Sequence, residues 1–196
     1  MARNYWAPVI LWNFQATKKV KGLEHLDPGQ PYIVMANHSS FLDIPILFRS
    51  LPFYLFFIAK KELKRLPFLG WFMMAAKMIF IDRKNRNKAK ESIRQAGVLI
   101  KNGQNVVIFP EGTASRDGEI GPFKKGGFHL ALQSEVPILP IRIEGTGTIW
   151  PRGKFLSLKK GEVKVIIGAP IHYEDYKDME VGKFAESVRE TIISLK

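Results

Sequence analysis

Short apolar runs bounded by turn residues alternate along this chain with longer segments whose apolar positions recur every three or four residues. The runs "KKVKG" (18–22), "YIVMA" (32–36), "YLFFIA" (54–59), "MIFID" (78–82), "NVVIF" (105–109), "VPILPIRI" (136–143) and "EVKVIIG" (162–168) read as strands, the first two split by the turn signal "DPGQP". Helical spacing marks residues 87–102, closed by Gly103, and also 122–134 and 180–195. A helix is expected from about Asp43, because Pro45 fits only within a first helical turn, and 61–77 reads as helical but broken at Pro67. Strand and helix in alternation predict one α/β domain with a mixed, largely parallel sheet flanked by helices. Residues 4–16, "NYWAPVILWNFQA", place Tyr5, Val9 and Trp12 at helical spacing with Trp6 and Phe14 nearby. They read as a short amphipathic interfacial helix (1–16) ahead of the main domain (17–196), or as a helix packed on that domain.

Composition narrows the possibilities. Across 196 residues, 46% are hydrophobic and 24% charged, which suits a single globular core. Cysteine is absent, which excludes disulfides, a thiolate nucleophile and Cys-based metal sites. Thirty Lys and Arg against eighteen Asp and Glu give a formal +12, which favours polyanions of some kind. The sequence "FYLFFIAKKELKRLPFLGWFMMAAKMIF" sets Lys60, Lys61, Lys64 and Arg65 between runs of Phe, Leu, Trp and Met, a company better suited to an anionic membrane surface than to nucleic acid. Asp43, Arg49, Lys60 and Lys77 interrupt every candidate span of the roughly 18 apolar residues that crossing a bilayer requires. A peripheral protein on the cytoplasmic face of the cell membrane is the expectation.

Polar clusters follow three of the strands: Asn37-His38 after 32–36, Asp82-Arg83 after 78–81, and "PEGTASR" after 105–109. If those strands run parallel, the clusters meet at one sheet edge, where open α/β sheets bind ligands. His38 with Asp43 is general-base machinery, the acid fixing the imidazole so that its other nitrogen can take a proton from a hydroxyl. On a continuous helix the two would sit about 140° apart; with a helix starting near Asp43, His38 can fold back onto the carboxylate. Ser40-x-x-Asp43 also fits a helix capping box, so the spacing alone leaves both readings open. Arg83 offers a planar fork for a phosphate, Glu111 a carboxylate that could orient a substrate hydroxyl, and the Gly112 and Thr113 amides a place for an anion. His25, His129 and His172 form no ligand spacing, and no metal is expected. Neither a P-loop nor a dinucleotide fingerprint occurs, because "GTGT" after "IRIE" lacks a third glycine and a clear following helix.

Taken in order, "NHSSFLD", "FIDR", "FPEGTASR" and "VPILPIRI" resemble the four blocks of the glycerolipid acyltransferases, particularly the bacterial 1-acyl-sn-glycerol-3-phosphate acyltransferases, over about residues 17–170. The resemblance implies a glycerol-3-phosphate acyltransferase-like fold with His38 as base and Asp43 as its partner. It assigns Arg83, Glu111, Gly112 and Thr113 to acceptor binding, and Pro140 to the acyl-donor side. The implied reaction moves an acyl group from acyl-CoA or acyl-acyl-carrier-protein, as co-substrate and without a cofactor, to the 2-hydroxyl of a lysophosphatidic acid. Lysophospholipid and a membrane surface would be partners, with acyl carrier protein a further candidate and nucleic acid not expected. Many relatives carry glycine where this chain has Lys77, which would add a phosphate ligand or only a surface charge. Rival readings are another acceptor, such as glycerol 3-phosphate, another lysophospholipid or a lyso-amino-acid lipid, and a non-catalytic module for anionic lipids.

Overall fold

A computed structural model describes residues 2–65, 69–75, 77–82, 85–153 and 159–196. All seven expected strands form: β1 (Ala16–Lys21), β2 (Ile33–Ala36), β3 (Leu55–Lys60), β4 (Ile79–Ile81), β5 (Asn105–Ile108), β6 (Ile138–Glu144) and β7 (Gly161–Ile167). They make one sheet in the order β1-β7-β6-β2-β5-β3-β4. Strands β2 to β6 run parallel, while β7 pairs antiparallel with β6 and carries β1 alongside in its own direction. The sheet is therefore mixed and largely parallel, as the pattern of elements requires.

β2 and β5 are buried along their whole length, as central strands covered on both faces must be. Their side chains alternate. Val34, Ala36 and Val107 face a core completed by α1 (Ala7–Asn13), α2 (Asp43–Ser50) and α3 (Leu69–Ala75) through Leu11, Leu47 and Met73. Ile33, Met35 and Ile108 face a second core closed by α4 (Arg86–Lys101), α5 (Gly126–Ser134) and α8 (Val181–Ser194) through Ile100, Phe128 and Val188. The start of α4 is fixed by Asn85, whose side chain accepts the N–H groups of Asn87 and Lys88.

Several elements depart from the sequence expectation. Helix α5 begins at Gly126, not near 122, because the chain ahead of it is tied to the β5 end: the Lys124 N–H donates to Pro110 O at 2.9 Å. The 61–77 segment divides into a 3₁₀ turn (Lys61–Arg65) and α3, while Pro67, where a break is expected, lies outside the described residues. Two one-turn helices, α6 (Thr146–Ile149) and α7 (Tyr173–Tyr176), are too short to show a period. The first of them is formed by "GTGT" itself, with Gly145 as N-cap, where the sequence suggests no clear helix.

The amino-terminal segment is a π-helical turn (Ala2–Trp6) running into α1. One side packs inward: Ala7 and Leu11 are buried and Trp6 meets Phe48 edge-on at 6.4 Å. The other side leaves Tyr5, Val9 and Trp12 exposed at 72%, 57% and 79%. The segment is therefore packed on the domain along one face and open along the other. Among the described residues, no helix is long and apolar enough to cross a membrane.

Candidate active site

β2, β4 and β5 all point the same way, so the turns that follow them lie at one edge of the sheet. Helix α2 starts at Asp43 with Leu42 as N-cap, and Pro45 falls in its first turn. Only half of the capping box forms. Asp43 Oδ2 accepts the Ser40 N–H at 3.0 Å, but Ser40 Oγ accepts from Leu42 N and donates to Trp150 O at 2.7 Å, leaving the Asp43 amide to Ser40 O.

The acid is thereby free to hold the histidine. His38 Nδ1 lies 2.7 Å from Asp43 Oδ2, which also accepts the Ser39 N–H at 2.8 Å, and Thr146 Oγ1 donates to Asp43 Oδ1 at 2.5 Å. A carboxylate can only accept, so Nδ1 carries the hydrogen and the neutral imidazole keeps its Nε2 lone pair for a substrate proton. The ring is fixed from a second side by Phe109, stacked on it at 4.2 Å and 15°. Asp43 is fully buried while the His38 side chain keeps 16% of its surface open. An inaccessible orienting acid behind a reachable imidazole is the arrangement of a general base.

Glu111 occupies an unexpected place. Its Oε1 accepts the His38 N–H at 2.8 Å and its Oε2 the Gly121 N–H at 3.1 Å, so each oxygen already braces a backbone amide. Burial pushes its carboxyl above the ordinary range, against the opposing pull of those two amides. Arg189 on α8 in turn holds the 120–121 loop through Ile120 O and Gly121 O. The turn after β5 closes with Gly112 N–H on Phe109 O at 2.9 Å, and Gly112 adopts φ 76°, a left-handed conformation that favours glycine.

His38 opens onto a cavity of about 270 Å³ whose walls are Phe41, Ile44, Phe57, Met73, Met78 and Phe109, with Gly112, Thr113, Lys60 and Arg152 also lining it. The base thus faces a mostly apolar chamber with two cations and the Gly112–Thr113 turn beside it. Gly112 and Thr113 are brought together with His38 and Asp43. Lys77 is exposed beyond the end of α3, at φ 53°. That left-handed conformation is one glycine adopts more readily than lysine. Pro140 is buried inside β6, opposite Met35, accepts the Gly168 N–H at 2.9 Å, and is not among the residues lining the His38 cavity. Arg83 lies outside the described residues. Its neighbour Asp82 is buried and paired with Lys61 at 2.6 Å. The remaining histidines sit elsewhere: His25 binds Ile167 O, His172 caps α7, and His129 is exposed on α5.

Thr146, Ser39, Phe109 and Arg152 escaped the sequence reading. The sequence signal for Thr146 is that "GTGT" follows a buried strand, β6, which ends on the same edge as His38.

Comparison with known proteins places this geometry. An acyltransferase family model matches residues 18–144. The chain is 40% identical over 178 residues to the 1-acyl-sn-glycerol-3-phosphate acyltransferase of Saccharomyces cerevisiae, covering 89% of this chain and 58% of that one. It is 39% identical over 168 residues to the chloroplastic 1-acyl-sn-glycerol-3-phosphate acyltransferase BAT2 of Brassica napus, covering 85% and 48%. The chain thus spans about half to three fifths of the length of these relatives. Among solved structures, the 1-acyl-sn-glycerophosphate (LPA) acyltransferase PlsC of Thermotoga maritima superposes with a TM-score of 0.78 at 28% identity, covering 100% of this chain and 79% of that one. With its four sequence blocks, its mixed sheet and a histidine held by aspartate at the carboxyl edge, the chain belongs to the acyltransferase family.

Proposed function

We propose that the protein transfers a fatty acyl group from acyl-CoA or acyl-acyl-carrier-protein to the 2-hydroxyl of 1-acyl-sn-glycerol-3-phosphate, giving phosphatidic acid. The observation that carries this reading is the 2.7 Å His38–Asp43 contact at the mouth of an apolar cavity; the names of the relatives supply the substrate class. His38 Nε2 takes the proton of the 2-hydroxyl as its oxygen attacks the thioester carbonyl. The tetrahedral intermediate collapses with cleavage of the C–S bond, and the imidazolium returns the proton to the departing thiolate. This chemistry calls for no cofactor or metal.

The acceptor phosphate is assigned to Arg83 and the Gly112–Thr113 turn, with Lys77 contributing positive potential and Pro140 shaping the donor side from within the sheet. Glu111 serves by holding the His38 backbone. The lipid is met at an anionic membrane surface, peripherally and from the cytoplasmic face. Two features support that docking. Tyr5 on the amino-terminal turn and Val9 and Trp12 on α1 are exposed, as are Trp71 and Met74 on α3 beside the exposed Lys60, Lys61, Lys64 and Arg65. The aromatic series Phe14, Trp150, Phe41, with centroids 4.6 and 5.9 Å apart, joins the end of α1 to the cavity wall.

Thiol release from long-chain acyl-CoA is measured with and without 1-acyl-glycerol-3-phosphate in vesicles, alongside His38→Ala. Acceptor-dependent release that falls by ~10²–10⁴ in the variant, with folding intact, is expected. An active His38→Ala protein sinks the base assignment, and vesicle binding without release from any donor or acceptor favours a lipid-binding module.

A further inference from the structure

The Asp43 carboxylate has four donors, and one of them comes from a distant part of the chain. Thr146, fully buried, donates to Oδ1 at 2.5 Å and lies 3.0 Å from Ser39 Oγ. A hydroxyl has a single hydrogen, and a carboxylate can only accept. Thr146 must therefore give its hydrogen to Asp43 and receive that of Ser39, so the relay runs from Ser39 through Thr146 to Asp43.

The surrounding backbone is built to permit this. Gly145 turns the chain out of β6 at φ 91°, and a Cβ there would lie 2.3 Å from Glu162 O of β7. A Cβ on Gly147 would press on Ser39 Cβ and Oγ at 3.2 and 3.3 Å. Gly147 thus lets the segment lie directly against the turn that carries His38, while Gly145 lets it pass close to the backbone of β7. Its far end is fastened too, by the bond from Ser40 Oγ to Trp150 O. The 145–150 segment is thus a brace, attached to the 38–43 region through Thr146 at one end and Trp150 at the other.

We infer that Thr146 is a positioning residue for the general base: its hydroxyl holds one oxygen of the Asp43 carboxylate and so fixes the rotation of the group, with the other oxygen directed at His38 Nδ1. Without that donor, Oδ1 is a buried charged oxygen lacking a partner, and the carboxylate turns to share its remaining donors. The imidazole then loses its fixed direction. The inference rests on the acyltransferase reading.

The test compares Thr146→Val, which keeps the shape and removes the hydroxyl, with Thr146→Ser, which keeps the hydroxyl. His38→Ala is assayed in parallel with acyl-CoA and 1-acyl-glycerol-3-phosphate. The Val variant is expected to lose about tenfold or more in kcat with the KM of both substrates unchanged, while Ser recovers most of the rate. Circular dichroism and vesicle binding report whether the Val protein folds. If it does not, a serine variant that folds but works at a tenth of the wild-type rate or less overturns the inference, and one near the wild-type rate supports it. Equal loss in folded Val and Ser variants, or a Val variant with wild-type kcat beside an inactive His38→Ala, also overturns it. An active His38→Ala removes the base reading itself, and this inference with it.

Discussion

Glu111→Gln is an incisive perturbation, because it separates two roles for one carboxylate. In the wild type each oxygen accepts one backbone N–H, from His38 at 2.8 Å and from Gly121 at 3.1 Å, in a residue only 8% exposed. Glutamine is the same size but presents one oxygen and one NH₂ group. Whichever way it turns, one buried N–H faces another donor, a cost of about 1–3 kcal/mol. Part of that is returned, since burial holds the wild-type carboxyl above its ordinary pKa and the neutral amide escapes that desolvation. The net loss is then about 1–2 kcal/mol, or roughly 2–8 °C in Tm for a domain of this size. A raised folded pKa means stability present at pH below the unfolded carboxyl value and lost as pH rises through the folded one; the glutamine variant should lack that dependence. Thermal unfolding across pH 4–7 and steady-state kinetics against lysophosphatidic acid are the assays. A brace on His38 gives lower Tm and lower kcat with acceptor KM little changed. Unchanged or higher Tm together with a raised acceptor KM would refute the brace and return Glu111 to direct substrate contact.

Other perturbations test other parts. Tyr5→Glu with Trp12→Glu should release the protein from anionic vesicles in a sedimentation assay while leaving Tm within a degree or two, whereas Trp6→Glu should lower Tm because Trp6 packs on Phe48; full vesicle binding by the double variant removes α1 as the anchor. Lys77→Gly relieves a left-handed residue at φ 53° and should raise stability by about 0.5–1 kcal/mol, read as a shift in denaturation midpoint; a fall in midpoint would show that the side chain, not the backbone, matters there.

The sequence was most legible where burial is continuous. β2 and β5 are apolar at nearly every position because both faces are covered, so their runs stand out. The start of α2 was legible for a steric reason, since Pro45 cannot sit deeper in a helix. Strand order was not, because pairing depends on which apolar faces meet in space, and the reversal of β7 leaves no mark on "EVKVIIG". Within the site, His38 and Asp43 are five residues apart and could be judged by local geometry. The part played by Glu111 could not, because its residue type suggested contact with substrate while its amide partners depend on where two loops come to lie. Thr146 was harder still: a threonine between glycines has many ordinary explanations until Ser39 and Asp43 are seen against it.

The two kinds of contact at the dyad differ in when they can form. The His38–Asp43 pair closes a loop of five residues, but its supports come from 73 residues away at Glu111 and 103 residues away at Thr146. Loop closure of that length is completed only as non-local strand pairing is achieved, which is the slow part of folding. A chain emerging during synthesis or refolding could thus bring its base and acid together early, yet keep them unfixed until β6 has docked beside β2. The geometry of the pair would then be the last feature of the site to settle, and a half-assembled sheet would hold the histidine and the aspartate without the supports that aim them.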